Sequence, residues 1–207
     1  MHMEEKAAKG THSTVIDLMK NKKRGKVLDI AAGHGNISFN LKNMGFDVIA
    51  ADLNSSCFKP EDISCLEIDA NLTLPFESNS FDYVISVETL EHLTNPWFFL
   101  DEIHRILNDN GIAIITSPNV ETIQNRIFYL LLGKLNWFQP ESIIDHKTPI
   151  FSWIFKYMIK NKFIIKKETF NDGEVIGFLP RIGIEIRPIK IKNNLFGEIR
   201  IIEMLKK

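Results

Sequence analysis

Val27-Leu28-Asp29-Ile30-Ala31-Ala32-Gly33-His34-Gly35 couples a short apolar run to an acid and then to a turn of small residues. A continuous apolar run of this length, closed by a turn signal, suits a strand covered on both faces, so 26–30 reads as a buried strand. The small residues after it let the backbone pass close to a ligand, and glycine permits positive φ. Asn36 to Met44 then reads as a helix, with Ile37, Leu41 and Met44 at helical spacing and Gly45 as its stop. Strand, glycine turn and helix in this order make the opening unit of a doubly wound α/β domain.

The flanking sequence repeats the theme. Strands are expected over 46–51, ending at Asp52, over 63–68, ending at Asp69, over 81–87 and over 111–116. A lead-in helix covers Thr11 to Lys20. Another runs from Pro96 to Leu107, with Asn95 as N-cap and proline in the first turn. This alternation predicts a parallel sheet with helices on both faces. Beyond Pro118 the pattern changes to a helix over 120–132, a helix over 151–159 and strands over 163–170 and 199–204. The glycines and prolines between 171 and 194 predict turns, with a short strand near 184–186. No internal repeat is present, and 207 residues suit one domain over 1–207 with an acceptor-side elaboration at about 117–150.

Composition narrows the class. A net charge of −1 supplies no global field toward nucleic acid or membrane. Cys57 and Cys65 do not make a disulfide scaffold, so a reducing compartment is expected. No apolar leader stands at the N-terminus, and the longest apolar stretch, Ile127 to Leu132, is too short to span a bilayer. The expectation is a cytoplasmic protein with no transmembrane segment. Charge is nevertheless segregated. Residues 1–110 carry 10 Lys and Arg against 17 Asp and Glu, whereas 111–207 carry 15 against 9. An acidic half that holds a cofactor, and a basic half that meets an anionic acceptor or surface, is one reading; chance segregation of solvated faces is the other.

In an open parallel sheet, ligands bind at the carboxyl ends of the strands. Asp29, Asp52 and Asp69 all stand at such ends. Asp52 is placed to accept hydrogen bonds from a ribose diol, and Asp69 to meet an adenine amino group or its surroundings. Alternatively, each caps its following turn, as Asp often does. Two cofactors compete. Gly33-His34-Gly35-Asn36-Ile37-Ser38 approaches a dinucleotide fingerprint, but the third glycine is missing. Asp29 would repel a pyrophosphate and attract the cationic methionine end of S-adenosylmethionine.

With those residues in view, the chain resembles the class I S-adenosylmethionine-dependent methyltransferases. Residues 27–35 look like their motif I, with Ala31 where the first glycine usually stands. Asp69-Ala70, Leu74-Pro75-Phe76, Ser80-Phe81-Asp82-Tyr83-Val84 and Val87-Glu88-Thr89-Leu90-Glu91-His92-Leu93 look like the middle of the type 11 profile. The resemblance implies a Rossmann-like methyltransferase fold: a seven-stranded, mostly parallel sheet of order 3-2-1-4-5-7-6, strand seven antiparallel. It also implies cofactor roles for Asp29, Ala31, Gly33, Gly35, Asp52, Leu53, Asp69, Ala70 and Val87.

Glu88-Thr89-Leu90-Glu91-His92 directly follows strand four and faces the transfer site. Two carboxylates and an imidazole can serve as general base or metal ligands. The segment resembles the E-x-x-E-H stretch of ubiquinone-pathway O-methyltransferases and small-RNA 2′-O-methyltransferases. The resemblance implies that it helps hold a divalent cation, with His146 as the candidate downstream partner. A helix start with local packing of His92 is the simpler alternative, and because no local signal fixes His146, the sequence predicts activity that survives chelation. Residues 117–150 loosely resemble the acceptor region of methyltransferases associated with cell-surface glycans, and no DNA-methylating motif follows strand four.

Arg126 to Leu132, with Trp137 and Phe138, form the most apolar region. A helix of this kind is expected in the core or as a lid over the acceptor; shallow membrane contact is the alternative. The sequence thus predicts an O-methyltransferase acting on a small molecule or a glycan or lipid-linked intermediate, with His92, Glu91 and His146 as catalytic candidates. Two alternatives stand beside it: a metal-assisted RNA or catechol-type enzyme, and a non-catalytic cofactor-binding protein.

Overall fold

Alternate residues of the first strand face opposite ways, and both sides are apolar, so the strand needs cover on both sides. In the computed structural model, which describes residues 7–139, 145–171, 173–175 and 189–207, β1 (Lys26–Ile30) is an interior strand of a seven-stranded sheet. Val27 turns toward α1 (Thr11–Met19) and α2 (Asn36–Asn43), where it meets Val15, Met19, Ile37 and Leu41. Leu28 and Ile30 turn the other way, toward Phe99, Leu100 and Ile103 of α3 (Pro96–Ile106) and Phe155 of α5 (Ser152–Ile159). Two apolar layers thus sandwich the sheet, as the uninterrupted apolar strands require.

The remaining strands are β2 (Asp47–Asp52), β3 (Cys65–Glu67), β4 (Phe81–Ser86), β5 (Leu107–Pro118), β6 (Phe163–Phe170) and β9 (Ile199–Lys206). Their order is β3-β2-β1-β4-β5-β9-β6. The first five are parallel, and β9 inserts antiparallel between β5 and β6. This is the expected 3-2-1-4-5-7-6 sheet, with β9 in the place of strand seven. Asn95 caps α3 as expected, its Oδ1 accepting from Phe98 N at 3.1 Å. Strand β5 begins four residues before Gly111, and β3 is shorter than its apolar run. A small antiparallel pair, β7 (Gly173–Val175) and β8 (Ile189–Ile191), stands apart from the main sheet. The strand expected near 184–186 lies outside the described residues.

One expectation is corrected. The apolar helix, α4 (Ile123–Leu132), starts at its cap Thr122, whose Oγ1 accepts from Asn125 N, and it is not a core element. Leu130 is 82% exposed and Leu131 72%. Only Asn125 of the helix is buried. The helix has apolar side chains around most of its circumference, but the two layers of core are already filled by α1, α2, α3 and α5.

Candidate active site at the carboxyl ends of the strands

Strand β1 delivers Asp29 to the centre of the sheet's carboxyl edge, where it is 2% exposed. Its Oδ2 accepts from Ser38 Oγ of α2 at 2.5 Å. Burial pushes this carboxyl up to about 6, although the Ser38 bonds pull against that and Asp52 adds to it. The chain then turns through three left-handed residues, Ala31 at φ 60°, Gly33 at 55° and Gly35 at 84°. Gly33 is needed for its φ alone, since a Cβ there would meet nothing within 4 Å. Gly35 is fixed twice, because a Cβ would also fall 2.6 Å from Pro60 Cδ and 2.7 Å from Phe58 Cε2. Ala31 accepts the strained conformation without being glycine.

Asp52 stands at the end of β2. Its Oδ2 accepts from Gly33 N at 2.8 Å and its Oδ1 from Asn54 N at 2.9 Å. Asp69 follows β3, and its Oδ1 accepts from Asn71 N at 2.8 Å. The acids do brace their own turns. A carboxylate offers about four acceptor positions, so each still has room for a ligand. Asp29, Ala31, Gly33, Asp52 and Val87 line a cleft of about 340 Å³. A second, of about 300 Å³, is lined by Leu53, Asp69 and Ala70, and the two share Ala31, Asp52, Glu88 and His92. Eight of the nine expected cofactor positions therefore lie along one continuous trough; Gly35 sits behind it, against Phe58 and Pro60. Sequence reasoning passed over Ala7 and His12 of the N-terminal segment, Asn54, Cys57 and Lys147, all of which line it. Their places depend on chain segments folding over the sheet edge, which leaves no local signal.

The E-x-x-E-H segment divides its residues between two tasks. Glu88 adopts φ 48°, its N–H donates to Thr116 Oγ1 at 2.8 Å, and its Oε1 accepts from Ala8 N at 3.1 Å. It ties down the N-terminal segment and lies outside the group that Glu91, His92 and His146 form. Glu91 and His92 form a 3-10 turn, Leu90–His92. The Glu91 carbonyl accepts from Lys147 N at 2.7 Å and Thr148 N at 3.0 Å, and Leu93 O accepts from Thr148 Oγ1 at 3.1 Å. This clamp brings His146 against His92, with ring centroids 4.8 Å apart.

The imidazoles share one tautomer. His92 Nδ1 is 2.7 Å from Asp145 O, and His146 Nδ1 is 2.9 Å from Trp137 O. A carbonyl oxygen can only accept, so in each neutral ring Nδ1 carries the proton and Nε2 keeps its lone pair. Burial holds His92 below its ordinary value, which favours that neutral form. Glu91 is fully buried, and among the described residues neither carboxyl oxygen has a partner beyond a contact with its own backbone N–H. Burial pushes this carboxyl up to about 8. One ligand atom from each of Glu91, His92 and His146 lies within 4.8 Å of the others.

A doubly wound sheet with β9 inserted antiparallel, and a trough of strand-end acids beside a glycine turn, define an S-adenosylmethionine-dependent methyltransferase. Comparison with known proteins agrees. Residues 28–115 match the methyltransferase domain family. An uncharacterized protein of Methanocaldococcus jannaschii is 30% identical over 201 residues, which cover 94% of this chain and 84% of that one. A ubiquinone biosynthesis O-methyltransferase of Pelagibacter ubique is 26% identical over 140 residues, 58% of each chain. A demethylmenaquinone methyltransferase of Paenarthrobacter aurescens is 35% identical over 108 residues, 50% of this chain and 42% of that one. The chain thus matches about half the length of these named relatives. The fold is shared with an S-adenosylmethionine-dependent methyltransferase from Archaeoglobus fulgidus, at a TM-score of 0.68 and 21% identity over 96% of this chain and 95% of that one. This chain belongs to the class I S-adenosylmethionine-dependent methyltransferases, and S-adenosylmethionine is its cofactor.

Proposed function

We propose that this enzyme methylates a hydroxyl group of a small molecule or of a glycan or lipid-linked intermediate. The observation that carries the reading is the convergence of Glu91, His92 and His146 beside the trough. In this reading Asp29 faces the cationic end of the cofactor, Asp52 accepts from its ribose, and Asp69 and Ala70 border its adenine. Leu53 covers the exposed side, and Val87 lies against the sulfonium end. The acceptor oxygen attacks the methyl carbon in line as the carbon–sulfur bond breaks, and S-adenosylhomocysteine leaves as a neutral thioether. The hydroxyl proton must go to a base. Neutral His92, with its Nε2 lone pair free and its Nδ1 held by Asp145 O, is suited to take it. Most of the acceleration comes from holding the two reactants in line.

A metal-assisted form of the same reaction is favoured by one further observation, the buried carboxyl of Glu91 without a hydrogen-bond partner among the described residues. Buried polar groups are normally satisfied, and a cation would satisfy this one. Two imidazoles and one carboxylate suit Mn²⁺, Co²⁺ or Zn²⁺ better than Mg²⁺. Glu91, His92 and His146 would hold the ion, and it would lower the pKa of a bound hydroxyl. Each Nδ1–H on a backbone carbonyl is the supporting contact that metal-bound histidines usually have. This weighs against metal-independent activity. The test incubates the enzyme and labelled cofactor with lipid, nucleotide-sugar and RNA pools, with and without EDTA. Label on a lipid or sugar hydroxyl, lost in EDTA, restored by Mn²⁺ or Co²⁺ and absent in Glu91→Ala, is the expected result. Transfer that survives EDTA but fails in His92→Ala returns His92 to the role of base. Label on RNA ribose would replace the acceptor class, and no transfer to any pool would leave a cofactor-binding protein.

A further inference from the structure

The most apolar surface of the molecule is α4, and nothing among the described residues covers it. Leu130, Leu131, Leu132 and Ile127 are more than half exposed, and Trp153 at the start of α5 is 67% exposed. An open groove of about 610 Å³ joins Tyr129 and Leu130 to Trp153. Contiguous apolar surface of this kind marks a contact site. The exposed charges along it are positive. Arg126, Lys134, Lys156 and Lys160 are exposed along α4, the following turn and α5. The sequence has no acid from 122 to 140 or from 151 to 167. The acid that does border the groove, Glu121, is engaged by Arg200 Nη2 at 2.5 Å and by Ser152.

We propose that α4 and the start of α5 are a docking surface for an anionic lipid bilayer. Leucine and isoleucine would enter the acyl boundary, tryptophan and tyrosine would lie at the headgroup level, and the cations would meet lipid phosphates. A second copy of this chain fits less well. A two-fold contact on this face would set its cations against their equivalents, with Glu121 already held by Arg200 and Ser152.

The surface is continuous with the active site. The chain leaves α4 at Gly133 and reaches Trp137, whose carbonyl holds His146 Nδ1. The Phe138 ring lies 5.5 Å from the His146 ring. An amphiphilic acceptor with its tail in the bilayer would present its polar head beside His92 and His146. This last step rests on the proposed methyl transfer; the docking of the surface does not.

The test is sedimentation of the full chain with phosphatidylcholine vesicles, with and without phosphatidylglycerol. S-adenosylhomocysteine binding is measured separately on every variant. Co-sedimentation that requires phosphatidylglycerol and falls roughly tenfold or more in Leu130→Glu/Leu131→Glu, and again in Lys134→Glu/Lys156→Glu, is the expected result. Both pairs are exposed, so the folded state and cofactor binding should persist. No sedimentation with anionic vesicles, or sedimentation indifferent to both double variants, overturns the proposal. So does a dimer in vesicle-free solution that Leu130→Glu/Leu131→Glu dissociates, because the face would then belong to a second copy. Vesicle binding with no binding of S-adenosylhomocysteine would keep the docking surface and remove the enzymatic reading.

Discussion

Asp29 carries a conflict between folding and binding. Its carboxyl is buried with one strong donor, Ser38, so the neutral form is favoured up to about pH 6. A carboxyl whose folded pKa is raised above its unfolded value contributes stability fully present below about pH 4 and lost as pH rises through about 6. A cationic ligand reverses the preference, because it binds the ionised form. Affinity for S-adenosylmethionine should therefore be full above pH 7 and fall toward tenfold per unit below pH 6, with proton release on binding. Calorimetry in buffers of different ionisation enthalpy measures both. In Asp29→Asn this pH dependence should vanish and affinity should be low throughout, while thermal stability at pH 8 rises. Ala31 stores strain at the same turn. With φ at 60°, it sits where L-residues are disfavoured, and Ala31→Gly should raise unfolding free energy by about 1 kcal/mol in urea titrations.

At the scale of elements, β9 is what ties the segment after β5 and the start of α5 to the sheet. Arg200 of β9 is 2% exposed; besides its bond to Glu121, its Nε lies 3.2 Å from Glu168 Oε1 of β6. Glu121 in turn accepts from Ser152 N and Oγ at the start of α5. Removing one partner of such a pair strands the other, so Arg200→Ala should cost about 3 kcal/mol or more. Adding Glu121→Gln should cost less than the sum of the single changes, which a double-mutant cycle would show. The sheet itself was legible from the sequence because the parallel strands are apolar runs, and those of β1, β2 and β3 lead into an acid or a glycine turn, a purely local pattern. The place of His146 was not, since two backbone amides donating to the Glu91 carbonyl fix it and backbone bonds have no residue signature. Nor was the exposure of α4, because a helix with apolar residues on most faces reads alike whether a core or a bilayer covers it. Glu88 misled for a third reason. Its spacing suits a ligand, yet a distant amide, Ala8 N, claims it.

For the molecule as a whole, the segregation of charge now has a geometry. The acidic half forms the trough from Asp29 to Asp69, and the basic half carries α4, α5 and their cations around the acceptor side. The central claim is that the trough holds S-adenosylmethionine through its strand-end acids. Isothermal titration of the full chain with S-adenosylhomocysteine, beside NAD and beside the Asp52→Ala variant, tests it most directly. The expected result is one-to-one binding of S-adenosylhomocysteine, weakened by about 1–3 kcal/mol in Asp52→Ala as the ribose loses its acceptor, and weaker or no binding of NAD. No binding of S-adenosylhomocysteine, tighter binding of NAD, or an affinity indifferent to Asp52→Ala would contradict it.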